Sequence, residues 1–133
     1  MDEDIRFALE QTQTWAVVGC SPDPYRDSNR IAALLQSRGF RVIPVNPNAD
    51  EILGERCVAS VHDIDEPVDV VDIFRRSSEA GAHVDEAIAI GAQAVWLQLG
   101  VIDHDAADRA RAAGLDVVMD RCPAIEWPRL QRA

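Results

Sequence analysis

Three glycines set the order of helices and strands in this chain. Gly39, Gly91 and Gly114 each close a stretch with helical spacing of apolar residues, and each is followed at once by an apolar run. A glycine after a helix readily adopts the left-handed conformation that turns the chain back. Helix, glycine and strand in repeated succession are typical of right-handed crossovers between parallel strands.

The apolar runs themselves predict the strands of one sheet. Runs without polar alternation suit strands that are buried on both faces. They occupy residues 15–18, 41–45, 68–73, 94–97 and 115–119, with a short edge strand at 57–58. The predicted fold class is α/β: a doubly wound, mainly parallel, Rossmann-like sheet of five to six strands with helices on both faces. We expect residues 1–133 to form a single domain, because 133 residues suit one hydrophobic core.

The charge balance restricts the partners that this chain can have. It carries 13 basic and 23 acidic residues, a net charge of −10, and every basic residue is arginine. Such a surface repels nucleic acid and acidic membranes. The lack of lysine excludes Schiff-base chemistry and a Walker A phosphate loop. The acidic N-terminal residues and the lack of a long apolar run predict a cytoplasmic protein without a signal peptide or membrane span.

The loop after the first strand is the leading candidate for a ligand site. Open parallel sheets bind ligands beyond the carboxyl ends of their strands, where the strand order reverses. In this loop Gly19 permits a tight turn and Ser21 offers a hydroxyl group. Arg26 and Arg30 add positive charge beside a helix that we expect Ser28 to cap, and the N–H groups at a helix start attract anions. The loop therefore predicts a phosphate site.

Polar residues at the other strand ends should lie at the same edge of the sheet. Asn46 follows the second strand and can hydrogen-bond an adenosine group, in a turn that Pro47 stiffens. Arg75 follows the next long strand, where a guanidinium can pair with a phosphate. Gln98 marks the tip of the strand after that, whereas Trp96 within the strand is expected in the core.

Two other functions remain open on these residues. An NAD(P)- or other nucleotide-dependent enzyme fits the fold, but Ser21 stands where a dinucleotide loop needs a second glycine, and Asn46 stands where an acid would bind the ribose. A thiol-redox module would use Cys20, since a helix start after it would lower its thiol pKa. The sequence contains neither a nucleophile elbow nor a C-x-x-C pair, and no set of catalytic residues is evident.

Taken in order, these motifs resemble the CoA-binding protein family. The Rossmann-like domain of that family also begins the succinyl-CoA synthetase alpha subunit and the NDP-forming acyl-CoA synthetases. The similarity extends over nearly the whole chain, roughly residues 13–130. The stretches that carry it are residues 15–21, 39–47, 51–54, 67–75, 94–100 and 118–123.

The resemblance implies a stand-alone protein that binds CoA or acyl-CoA by its nucleotide end, without catalytic machinery of its own. By the resemblance, Gly19-Cys20-Ser21 holds the CoA phosphates and Val45-Asn46-Pro47 lies beside the adenosine. Phe74-Arg75 and Gln98 line the same crevice. The phosphohistidine domain and the ATP-grasp subunit of the synthetases are absent from this sequence, so the resemblance also admits a separate protein partner of the ATP-grasp type.

Overall fold

The apolar runs pair into one parallel sheet, and a short hairpin lies outside it. The computed structural model describes residues 1–132, whose strands are β1 (Thr14–Val18), β2 (Arg41–Val45), β3 (Glu51–Ile52), β4 (Glu55–Arg56), β5 (Val70–Ile73), β6 (Ala94–Leu97) and β7 (Asp116–Met119). The sheet has five parallel strands in the order β2-β1-β5-β6-β7. Strands β3 and β4 pair with each other antiparallel. The predicted strand number and direction are confirmed.

Helices cover both faces of this sheet. They are α1 (Asp2–Glu10), α2 (Asp27–Ser37), α3 (Ser77–Ala89), α4 (His104–Ala112) and α5 (Pro123–Arg132), with a 3-10 turn at Val61–Asp63. Buried residues of α3 and α4 pack on one face, and those of α1, α2 and α5 pack on the other. This confirms the doubly wound, Rossmann-like class. The longest helix, α3, has 13 residues, and no helix within residues 1–132 has the length and apolar character of a membrane span.

The two faces of the sheet have different cores. Non-aromatic apolar residues, most of them alanine or valine, fill the face under α3 and α4, including the fully buried Ala80 and Ala106. The opposite face holds Trp15 and Trp96, whose ring centroids are 5.5 Å apart. Both indoles are fully buried, and the Trp96 Nε1 donates a hydrogen bond to the Arg121 carbonyl at 2.9 Å. Trp96 is therefore a core residue, as the sequence predicts.

The helix ends follow the sequence signals. Gly39, Gly91 and Gly114 have φ of +91°, +75° and +90°, so each occupies the left-handed conformation that was expected. Helix α5 was not expected from the sequence, although it starts with Pro123, a favoured first residue of helices. Pro128 inside α5 explains why the pattern did not predict a helix there, because proline is unfavourable in helix interiors.

The segment after β2 differs from the expected edge strand at 57–58. Only Val58 pairs with the sheet, through a single parallel bridge to Val45. The hairpin of β3 and β4 precedes it, and Leu53 and Gly54 at its turn both have positive φ, +54° and +76°. Two successive residues of positive φ are typical of tight hairpin turns. The turn conformation therefore determines where this short hairpin forms.

Candidate functional site

The ends of β1, β2 and β5 meet at the point where the strand order reverses. From β1 the chain runs to β2 on one side, and it later returns to β5 on the other. The Gly19 N–H donates to the Val45 carbonyl at 3.1 Å, and the Phe74 N–H donates to the Val18 carbonyl at 2.9 Å. The first bond joins the loop after β1 to the end of β2, and the second joins the residue after β5 to the end of β1, at the edge where the sequence predicts a ligand site.

Gly19 lies directly against the backbone that follows β5. Its φ is +79°, and a Cβ atom added to it would lie 2.5 Å from the Phe74 carbonyl oxygen and 3.2 Å from the Arg75 Cδ. A side chain at residue 19 would therefore need both an unfavourable φ and a displaced neighbour. Glycine is required here by the close contact of the two loops.

Buried polar side chains hold the loop after β1 in place by hydrogen bonds to its backbone. The Ser28 Oγ accepts a hydrogen bond from the Ser21 N–H at 2.9 Å, and the Asn29 Nδ2 donates to the Ser21 carbonyl at 2.9 Å. Ser28 and Asn29 are each only 6% exposed.

The prediction that Ser28 caps α2 is wrong, because Arg26 is the N-cap residue and has no side-chain capping bond. The helix starts before Ser28, so its hydroxyl lies in the first turn and reaches back to the loop.

In this loop the Ser21 hydroxyl proton and the Arg26 guanidinium remain available to bind a ligand. The Ser21 Oγ accepts a hydrogen bond from the Asp23 N–H at 3.0 Å, which leaves its own proton to donate to a ligand. Arg26 is exposed and has no ion-pair partner within residues 1–132. Arg30 instead pairs with Asp27 one helical turn away. Of the two arginines predicted at this loop, only Arg26 forms no ion pair within residues 1–132.

Asn46 holds two loops together. Its Nδ2 donates to the Cys20 carbonyl at 2.9 Å, and its Oδ1 accepts from the Asn48 N–H at 2.8 Å. The turn at 45–47 is thereby joined to the loop after β1. The Asn46 amide therefore positions the predicted site, in addition to lining it.

Three cavities open along the carboxyl edge of the sheet. The loop cavity, of about 590 Å³, is lined by Gly19, Ser21, Tyr25, Arg26, Asp27, Ser28, Arg30 and Phe74. The turn cavity, of about 350 Å³, is lined by Val18, Gly19, Ser21, Val45, Asn46, Pro47, Asn48, Ala59, Arg75 and His83. The apolar cavity, of about 440 Å³, is lined by Asp27, Arg30, Ile31, Leu34, Phe74, Gln98, Leu99, Cys122 and Ala124.

These cavities lie side by side, because neighbours share lining residues, and together they form the crevice at this edge of the sheet. The loop and turn cavities share Gly19 and Ser21, whereas the loop and apolar cavities share Asp27, Arg30 and Phe74. The loop cavity thus lies between the other two. Every residue predicted for the site lines this crevice except Cys20.

Cys20 points into the core instead of the crevice. Its side chain is fully buried, and its Sγ lies 4.0 Å from the Ser28 carbonyl oxygen. Burial raises the pKa of the Cys20 thiol to about 12, and the nearby Cys57 thiol and Asp72 carboxyl add to the increase. The expected decrease in this pKa is wrong, because removal from water outweighs the helix start that suggested it. Cys20 is thus unsuited to thiol-redox chemistry.

Phe74 and Arg75 line different parts of the crevice. Phe74 lines the loop and apolar cavities, whereas Arg75 lines the turn cavity. Arg75 forms an ion pair with Glu79, one helical turn further on. Exposed pairs with this spacing contribute only about 0.3–0.5 kcal/mol, so a phosphate can displace the Glu79 carboxylate at little cost.

The structure adds residues that the sequence did not single out. Tyr25 is 85% exposed and lines the loop cavity. Its position in a loop of small polar residues and prolines could have indicated an exposed aromatic side chain at the site. His83 reaches the turn cavity from α3. Leu99 and Cys122 line the apolar cavity, and Cys122 was missed because it directly precedes the unexpected helix α5.

The fold and this crevice define a Rossmann-like α/β protein with an open groove at the carboxyl edge of its sheet. A family model described as a CoA binding domain matches residues 13–128. The chain belongs to this CoA binding domain family, which confirms the resemblance found in the sequence.

Three known proteins illustrate the range of this similarity. The uncharacterized protein YneT of Bacillus subtilis (strain 168) is 36% identical over 119 residues, which are 90% of this chain and 88% of YneT. A hypothetical protein from Pyrococcus horikoshii OT3 is 40% identical with a TM-score of 0.92, over 98% of this chain and 92% of that one. The dinucleotide-forming acetyl-coenzyme A synthetase 1 of Ca. Korarchaeum cryptofilum is 26% identical with a TM-score of 0.75, over 86% of this chain and 28% of its own.

Proposed function

We propose that this protein binds CoA or acyl-CoA along the crevice as a stand-alone binding protein, without catalytic machinery of its own. The observation that carries the proposal is the order of the three adjacent cavities, which matches the order of the chemical parts of CoA. The adenosine would occupy the turn cavity, the pyrophosphate the loop cavity, and the pantetheine arm the apolar cavity. The acetyl-coenzyme A synthetase that contains a similar domain supports the choice of ligand.

Local positive charge supports the placement of the pyrophosphate in the loop cavity. The chain has a net charge of −10, but ionic screening limits the reach of distant charges to about 8 Å in physiological salt. Within that range the unpaired Arg26 guanidinium and the Ser21 hydroxyl face the loop cavity. Gly19 has no side chain to keep a ligand phosphate away from the backbone.

The shape and chemistry of the turn cavity support an adenosine there. Val45, Pro47 and Ala59 offer apolar surface for a purine ring, and Asn48 offers polar groups beside it. Arg75 lines the same cavity, where it can pair with the 3′-phosphate of CoA.

The apolar cavity suits the pantetheine arm better than it suits a second nucleotide. Ile31, Leu34 and Leu99 are among its lining residues, and the amide of Gln98 is a neutral polar group on its wall. The NAD(P)-dependent alternative would need a nicotinamide ribose and a second phosphate in this space.

Nothing in the fold or the relatives supports the ATP-grasp partner that the sequence resemblance admits. The proposed function therefore needs no protein partner.

Calorimetric titration with CoA tests the proposal, with ADP and NAD⁺ as comparison ligands. We expect saturable binding of one CoA per chain, ADP at least about tenfold weaker, and NAD⁺ weaker again. The pantetheine arm buries apolar surface worth about 25 cal/mol per Å², and ADP lacks this arm. Tighter binding of NAD⁺ than of CoA would favour the dehydrogenase alternative, and the absence of CoA binding would refute the proposal.

Replacing Arg75 with alanine tests the placement of the nucleotide. We expect the Kd for CoA to rise by about 10- to 100-fold, because a hydrogen bond to a charged group contributes about 1.5–3 kcal/mol. Arg76→Ala is the matched control, since Arg76 is the next residue, contacts the same Glu79 and does not line the crevice. Equal effects of the two variants on the Kd would show that only long-range charge matters and that Arg75 does not contact the ligand.

A further inference from the structure

The apolar cavity contains a thiol. Cys122 lies between β7 and α5 and is partly exposed, and its side chain lines the cavity together with Phe74 and Leu99. Its carbonyl accepts hydrogen bonds from the N–H groups of Ile125 at 3.0 Å and Glu126 at 2.9 Å. The first turn of α5 therefore holds the backbone of Cys122 in place at the wall of the crevice.

A buried amide without a partner lies on the wall of the same cavity. Gln98 is 6% exposed, and its Oε1 has no hydrogen-bond partner within residues 1–132. An unsatisfied buried polar group costs about 1–3 kcal/mol, so it is retained more readily where a ligand completes its hydrogen bonds. Rotation about the last side-chain torsion can turn either the oxygen or the nitrogen of the amide toward the cavity. The end of the amide that faces the cavity has no protein partner within residues 1–132, and a ligand that carries amide groups would hydrogen-bond to that end.

The pantetheine arm combines these two features, because its amide groups are followed by a thiol. An arm that enters from the loop cavity passes Phe74, which both cavities share, and Gln98 and Cys122 line the apolar cavity that it enters. The amide and thiol on the wall of this cavity thus match the amide and thiol of the ligand in chemistry.

We propose, resting on the function proposed above, that Cys122 is a thiol-exchange site that forms a mixed disulfide with the sulfur of CoA. The reactant is a disulfide of CoA. The Cys122 thiolate attacks the CoA sulfur held in the cavity, and a bond forms between these two sulfurs. The original disulfide bond breaks, and its other sulfur leaves as a thiolate that takes up the proton lost by Cys122. No further oxidant is required.

The other two cysteines are internal controls. Cys20 is fully buried in the core, and Cys57 lies after β4 and lines none of the three cavities. Burial also raises the pKa of the Cys57 thiol, with Asp50 and Glu51 adding to the increase. A reagent that is delivered by the crevice should therefore modify Cys122 alone.

Intact-mass measurement of the full chain after exposure to CoA disulfide tests this site. We expect one CoA per chain, attached to Cys122 by peptide mapping and released by a reducing agent. The adduct should be lost in Cys122→Ser and retained in Cys57→Ser. Because binding raises the local concentration of the reactive group, Cys122 should react at least about 100-fold faster with CoA disulfide than with cystamine, which lacks the nucleotide.

The outcomes separate this proposal from the binding function. An adduct that persists in Cys122→Ser, or equal rates with cystamine and CoA disulfide, would overturn the exchange site. Calorimetric titration of Cys122→Ser with reduced CoA then gives an independent readout. If reduced CoA binds both Cys122→Ser and the natural protein but the natural protein shows no exchange, the binding function stands and the exchange site is refuted. If reduced CoA does not bind the natural protein, both proposals are refuted.

Discussion

Replacing Gly19 with alanine is expected to lower the free energy of unfolding by about 2–5 kcal/mol and to remove measurable CoA binding. A left-handed conformation costs a residue with a Cβ about 1–2 kcal/mol, and forcing atoms into a packed region costs about 1–3 kcal/mol more. At Gly19 both costs apply, because φ is +79° and the new Cβ would lie 2.5 Å from the Phe74 carbonyl oxygen. Relief of this clash separates the loops after β1 and β5, which form the centre of the crevice.

Gly91→Ala is the matched control for this prediction. Its φ of +75° is nearly the same, but nothing lies within 4 Å of an added Cβ. Alanine there should cost only the conformational part, about 1–2 kcal/mol, and should leave the Kd for CoA unchanged. Urea unfolding and calorimetry measure the two quantities. Equal losses of stability in the two variants, or normal CoA affinity in Gly19→Ala, would contradict the close contact as the basis of the site.

Replacing Asp72 with asparagine is expected to change how stability depends on pH. Asp72 lies within β5, fully buried, and neither carboxyl oxygen has a hydrogen-bond partner within residues 1–132. Burial raises the pKa of this carboxyl well above its ordinary value. The folded protein therefore retains a proton that the unfolded chain releases above about pH 3.9. Its contribution to stability is complete below that pH and is lost as pH rises toward the pKa of the folded state.

The expected loss is about 1.4 kcal/mol per pH unit until the pH reaches the pKa of the folded state. Asparagine cannot ionise, so the stability of Asp72→Asn relative to the natural protein should rise with this slope from pH 5 upward. Denaturant unfolding at a series of pH values measures it. Asp63→Asn, an exposed substitution, should differ from the natural protein by no more than about 0.5 kcal/mol throughout. Parallel curves for Asp72→Asn and the natural protein would show that Asp72 is ionised in the folded state.

Local patterns predicted the parts of the fold that depend on local physics. Apolar runs formed the five parallel strands, and Gly39, Gly91 and Gly114 ended helices because glycine adopts positive φ without strain. Asp103 caps α4 by the same kind of local interaction, with its Oδ1 accepting a hydrogen bond from the Ala106 N–H at 3.0 Å. Helix α5 was missed because Pro128 is locally unfavourable, and packing against the core compensates for that cost.

The sequence by itself determined the family, the parallel α/β class and the edge of the sheet at which the crevice lies, because those depend on the order of elements along the chain. Only the tertiary structure decided what each side chain at that edge does. It buried Cys20, left Cys122 partly exposed at the crevice, and placed Gly19 against Phe74. It also left Gln98 without a partner beside that thiol. Burial and contact at these positions depend on residues far apart in the chain, which meet only when the strands take the order β2-β1-β5-β6-β7.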